Sequence, residues 1–181
     1  PVTLDPFPGS IGGHVGGTVD INLPFDQNAK FLLTLTNIHR YVSGSGKNRS
    51  RQEKARWQDV IVAHAEPGSK GTRLTFRFDV PEGLHASDTK QDDSYHLWRL
   101  NLSADIPGAD VDRDYELPVY PTRETSQRLS GYKVERARSD QALLDEQAVR
   151  ALVNLEYTQT GKRLFFPMGR MLVRTLLGIL V

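Results

Sequence analysis

Cysteine is missing from all 181 residues. Its absence excludes disulfides, thiolate nucleophiles and Cys-ligated metals, and it leaves the redox compartment open, because a domain of this size needs no covalent staple. A surplus of one charge is missing too: 23 Lys and Arg stand against 22 Asp and Glu, for a formal net charge of +1. With no global field to draw in a polyanion, bulk nucleic-acid binding is disfavoured. Long apolar runs are scarce. The strongest candidate is Met171–Val181, shorter than the roughly 20 residues a spanning helix needs.

Reactive signatures are equally scarce, so no cofactor or catalytic residue is expected. Ser43-Gly44-Ser45-Gly46-Lys47-Asn48 suggests a phosphate loop, but a Walker A needs Gly where Tyr41 stands and Ser or Thr where Asn48 stands; a flexible hairpin loop is the expectation. Asp110, Asp112 and Asp114 form a D-x-D-x-D run, yet Tyr115 and Pro121 occupy the places where a Ca²⁺ loop requires Gly and Glu. That stretch is expected as an acidic turn. The five histidines, His14, His39, His64, His85 and His96, include no H-x-x-x-H pair, so neither a zinc site nor a general base is indicated. His96 shares its phase with Trp98 and is expected as a partly buried strand residue. No G-x-S-x-G elbow is present, although the members of a Ser-His-Asp triad lie too far apart in a chain to be read from one sequence.

Alternation is what the sequence does have. In Thr72–Val80, Leu74, Phe76, Phe78 and Val80 alternate with Arg73, Thr75, Arg77 and Asp79, the period of a half-buried strand. Trp98, Leu100, Leu102, Ala104 and Ile106 do the same against Arg99, Asn101, Ser103 and Asp105, between turns at Pro81-Glu82-Gly83 and Pro107-Gly108. Further strands are expected at Thr18–Leu23, at Lys30–Tyr41 with a bulge where the phase slips at Asn37-Ile38, at about Ala55–Ala65, and around Tyr115, Leu117 and Val119. The length suits one domain of roughly 100–150 residues plus an appendage. The organisation predicted is an irregular arm at 1–17, a β-sandwich at 18–121, a polar linker at 122–138 and a helix-plus-hairpin appendage at 139–170. In the appendage, Ser139-Asp140 caps a helix at about 140–153 and a small hairpin is closed by Pro167. The terminus 171–181 has the composition of a span's opening half, and two readings stay open: the start of a transmembrane helix, or a terminal segment packed on the domain, which Arg174 favours.

The phrases FRFDVPEGL at 76–84, YHLWRLNLSADIPG at 95–108 and YELPV at 115–119 resemble the arrestin-like, immunoglobulin-like sandwich family over residues 18–121. With GGHVGGTVDINLPF, SGSGKNRSR, WQD and FPMGR, the chain also resembles a bacterial membrane-protein family of unknown function, in which such a domain is the loop between two transmembrane helices. These resemblances imply a mainly β, antiparallel sandwich and a scaffolding role near a membrane; neither family supplies a catalytic residue. The helix and hairpin beyond 122 have no counterpart in an arrestin half.

The function expected is therefore a non-enzymatic, membrane-tethered protein-interaction or scaffold domain with an unidentified protein partner and an unknown oligomeric state. The candidate interaction loop is Lys47, Arg49, Arg51, Lys54 and Arg56, which could touch an acidic partner or anionic headgroups; a solvated hairpin tip is the bland alternative. Lys162, Arg163, Arg170 and Arg174 flank the apolar terminus, so a bacterial inner-membrane location with the domain on the cytoplasmic side is favoured over the periplasm. The alternative function is a carbohydrate-binding or hydrolytic module with an active cleft, for which Trp57 and Trp98 are the candidate aromatics.

Overall fold

The computed structural model describes residues 1–90, 92–106 and 109–134. The expected helix at about 140–153, the hairpin after it and the apolar terminus lie outside the described residues. Within them the strands are β1 (Val2–Leu4), β2 (Gly9–Ser10), β3 (His14–Ile21), β4 (Leu32–Ser43), β5 (Ser50–Val62), β6 (His64–Gly68), β7 (Gly71–Asp79), β8 (Ser94–Ile106), β9 (Ala109–Leu117) and β10 (Val119–Tyr120), with one 3-10 turn at Gly46–Asn48. They form two four-stranded sheets, β1-β3-β7-β6 and β5-β4-β8-β9, antiparallel throughout, while β10 lies parallel to β2.

The alternating positions point inward as their period requires. Val15, Val19, Leu74, Phe76 and Phe78 from one sheet meet Leu33, Leu35, Trp98, Leu100 and Leu102 from the other in one continuous core. This is the antiparallel β-sandwich that the alternation predicts, and each large side chain fully removed from water contributes about 1.5–3 kcal/mol. The bulge expected at Asn37-Ile38 is present: Asn37 faces Trp57 and Ile38 faces Ala55, which leaves Arg56 without an opposite residue.

Three local expectations differ from the structure. The arm at 1–17 is not wholly irregular, because β3 begins at His14 and Val2–Leu4 pairs with it. Gly17 makes this pairing possible. Its φ is +146°, and a side chain there would collide with the Thr3 carbonyl. The polar stretch from 122 does not hang free, since its described part, 122–134, is laid against the outside of the first sheet. Ser126 and Leu129 are buried, Arg77 on β7 donates to the Leu129 carbonyl at 2.8 Å, and the Tyr132 hydroxyl donates to Thr75 O at 2.9 Å. Finally, Asp110, Asp112 and Asp114 lie within strand β9 rather than in a turn. Aspartate disfavours strands, but on an edge these carboxylates stay in water while Val111 and Leu117 are buried.

Candidate functional site

The most unusual cluster of side chains stands where the inward face of the second sheet runs out of hydrophobic residues. Along β4 and β8 the inward pairs are Leu33 with Leu102, Leu35 with Leu100, Asn37 with Trp98, and then His39 with His96. The loop after β7 folds back over this end and adds a third imidazole, His85. Hydrogen bonds explain why the loop returns. The His85 carbonyl accepts from the buried Trp98 Nε1 at 2.9 Å and from Asn37 Nδ2 at 3.1 Å, satisfying two donors that would otherwise be stranded in the core. Three residues on, Asp88 N donates to His96 O at 2.9 Å and His96 N donates to Asp88 Oδ2 at 2.6 Å.

The result is a column of stacked rings, with centroids 3.9 Å apart for His85 and His96 and 4.6 Å apart for His96 and His39. The planes are tilted by only 12° and 16°, so the ring nitrogens point sideways rather than converging on one point. Such a column is not a metal cage. Among the described residues no group of His, Asp and Glu side chains is arranged to hold a metal ion.

The ring nitrogens reveal the polarity of the site. His39 Nδ1 lies 3.1 Å from Arg56 Nη2 and its Nε2 lies 2.9 Å from Ser94 Oγ. A guanidinium can only donate, so Nδ1 accepts, and the proton of a neutral ring sits on Nε2 and points at the serine. A hydrolytic dyad has the opposite arrangement, with a carboxylate holding Nδ1–H and a bare Nε2 ready to take the serine proton. In His96, Nδ1 faces Asp88 at 3.4 Å, and buried Nε2 has no hydrogen-bond partner among the described residues. Burial, then Arg56, His85 and Lys54, hold the His39 pKa below its ordinary value against a weaker pull from Asp88. Burial, then His85 and His39, do the same to His96 despite Asp88. His39 and His96 are therefore uncharged near neutral pH.

The five basic residues expected to form an interaction loop do share one hairpin, but mostly as a strand. Lys47 lies in the 3-10 turn and Arg49 just after it, while Arg51, Lys54 and Arg56 lie along β5, on the edge of the second sheet. All five are exposed. The register sets Lys54 opposite His39 and Arg51 opposite Val42, hence on different faces, with Arg56 at the bulge reaching the histidine column. Arg49 pairs with Asp93. The next residue of the hairpin on the outward face, Glu53, is held by Arg40 and Arg99.

The tryptophans do not line an open cleft. Trp98 is completely buried and Trp57 is half-buried, tilted against it with ring centroids 5.7 Å apart. Sequence reasoning did not foresee the histidine column. The shared phase of His96 and Trp98 was visible, but only the β4–β8 register brings His39 alongside, and nothing local shows that His85 returns.

No family model matches the chain, and no curated protein matches it. Among solved structures it is similar to the crystal structure of Spo0M, a sporulation control protein from Bacillus subtilis, with 16% sequence identity and a TM-score of 0.40, covering 66% of this chain and 47% of that one. The chain thus matches about half the length of that protein.

Proposed function

We propose that the chain is a non-enzymatic interaction or scaffold domain, tethered to the bacterial inner membrane by a flanking helix, with the sandwich on the cytoplasmic side, and that it binds an acidic protein partner along its basic β4–β5 hairpin. The observation that carries this reading is the exposed cationic strip on an edge strand: Lys47, Arg51 and Lys54 make no ion pair with the described residues, and Arg56 is committed only to an uncharged imidazole. A strand edge offers a partner unpaired backbone groups, and the charges select which partner docks. Three further points support it. The sequence resembles arrestin-like scaffolds. The Ser94–His39 pair has the proton on the wrong nitrogen for hydrolysis. The tryptophans offer no open platform for stacking a sugar ring, which favours this reading over a carbohydrate-binding module. The basic residues before the apolar terminus support the membrane tether and its orientation.

The test is cross-linking in membranes followed by affinity capture, comparing the wild-type chain with the Arg51→Glu/Lys54→Glu/Arg56→Glu variant. A cross-linked partner lost on charge reversal supports the proposal; a partner captured equally by both, or none above background, sinks it. Vesicles containing anionic lipid provide a second arm, since roughly 1 kcal/mol per basic residue would be lost there if headgroups rather than a protein were the target.

A further inference from the structure

The four sheet edges are not equivalent. β1 is three residues long, β6 is five and carries Pro67, and β5 is interrupted by the bulge at Arg56. β9 has none of these protections. It runs nine residues in unbroken register with β8, from Ala109 opposite Ile106 to Leu117 opposite Trp98, and no described strand pairs with its other side. Beside it, at the seam between the two sheets, β1 and β9 bound a cleft of about 700 Å³. Leu4, Phe7, Tyr115 and Pro118 line it, with Asp114 and Glu116 at its margin. Phe7 is 74% exposed, an unusual position for a large aromatic ring.

We infer that β9 and this cleft take an extended, cationic segment of a partner protein as an added strand. The side chains dictate its pattern. Asp110, Asp112 and Asp114 are exposed and share one face with Glu116, because their β8 partners Asp105, Ser103, Asn101 and Arg99 share it. A strand laid alongside would present every second residue to this carboxylate row and the alternate residues to the other face, where Val111, the exposed Arg113 and Tyr115 lie and the cleft opens beside Tyr115. Lys or Arg alternating with aliphatic residues fits both. Main-chain hydrogen bonds would supply affinity and the two rows specificity. A second copy of β9 is a poor occupant, since it would set like charges against each other. The charges that protect this edge from its own kind are therefore the ones that recruit a basic strand.

The inference rests on the reading of the chain as an interaction domain, but on the edge opposite the basic hairpin. It is tested by amide chemical-shift titration of the full chain with a capped nine-residue peptide alternating Lys and Val. Shifts confined to 109–117 and 2–7 are expected, with a dissociation constant on the order of 100 μM at low salt. Asp110→Lys/Asp112→Lys should weaken binding at least tenfold, and Phe7→Ser, which leaves the carboxylates in place, should weaken it severalfold. Equal binding of a Glu-Val peptide, or of a peptide with its lysines and valines in separate blocks, would overturn the inference, as would shifts mapping to β5 or no shift at millimolar peptide. Reversing Arg51, Lys54 and Arg56 should leave this titration unchanged, so the two proposed surfaces fail or survive separately.

Discussion

Glu53→Ala is the substitution whose cost can be worked most directly from the structure. Glu53 sits on the outward face of the second sheet, where it accepts from Arg40 Nε at 2.7 Å and from Arg40 Nη2, and from Arg99 Nη1 and Nη2, both at 3.1 Å. Arg40 in turn donates to the Tyr95 hydroxyl at 2.7 Å. The side chains of Glu53, Arg40 and Arg99 are 17%, 19% and 23% exposed. Removing one partner of a fully buried ion pair costs about 3–5 kcal/mol, whereas an exposed pair contributes about 0–1 kcal/mol. The residual exposure places Glu53→Ala between these, at about 2 kcal/mol, and at an m-value of about 2 kcal/mol per molar that moves the urea midpoint by about 1 M. The pH dependence is a second signature. Burial pushes the Glu53 carboxyl up, but bonds from Arg99 and Arg40 outweigh it and hold the pKa below the usual range. Its contribution is thus present above the unfolded value of about 4.3 and lost as pH falls through the folded one, an acid limb the variant should lack. Equilibrium urea unfolding followed by tryptophan fluorescence checks both. The triple change Arg40→Met/Glu53→Leu/Arg99→Met should recover most of the loss, because no buried charge is left unpaired, and Asp114, which also faces Arg99 at 3.7 Å, is solvated. A midpoint shift of Glu53→Ala below about 0.3 M at neutral pH would refute the reasoning.

Two predictions concern other parts of the molecule. His14, His39 and His96 all have folded pKa values held below the ordinary one, with burial the first cause in each. The unfolded chain therefore binds their protons first, and stability should be full above about pH 6.5 and decline as pH falls through 6.5 toward the folded values. The slope cannot exceed about 1.4 kcal/mol per pH unit per histidine, and solvent screening at these partly exposed rings keeps it lower. Urea midpoints at pH 7.5 and 5.5 should converge in the His39→Phe/His96→Phe variant relative to wild type; an unchanged difference rejects the histidine column as its source. Gly17→Ala should detach β1, since the backbone there is left-handed and the new methyl meets the Thr3 carbonyl. A destabilisation of about 1–3 kcal/mol with faster amide exchange confined to residues 2–5 and their β3 partners is expected, and exchange left as in wild type would contradict it.

The sandwich was legible because burial and alternation are the same fact in a strand. Leu74, Phe76, Phe78, Trp98, Leu100 and Leu102 alternate in the sequence and are all buried in the structure, and even the phase slip at Asn37-Ile38 falls where the register shifts. Strand positions outside the core carried no such signal. Residues 50–54 and 110–114 are strand although their charges suggest loop, because they lie on sheet edges where Arg51, Lys54, Asp110, Asp112 and Asp114 remain solvated. The histidine column was not legible at all. It needs a register between two strands and a loop closed by the His85 carbonyl, and both are long-range facts.

The segment 122–134 has a mechanical consequence. Glu124 is bonded to His14 N and Ser10 Oγ, and Arg128 to Asp5. Nearer the C-terminal end, Arg77 on β7 holds the Leu129 carbonyl, and the Tyr132 hydroxyl bridges two strands, donating to Thr75 O on β7 and accepting from His64 N on β6. Tension applied beyond residue 134 would thus enter the domain across β6 and β7 together, where several bonds share the load, instead of peeling away a rim one bond at a time. A domain wired in this way can bear a tug from its C-terminal side without its far edges, β5 and β9, being the first to give.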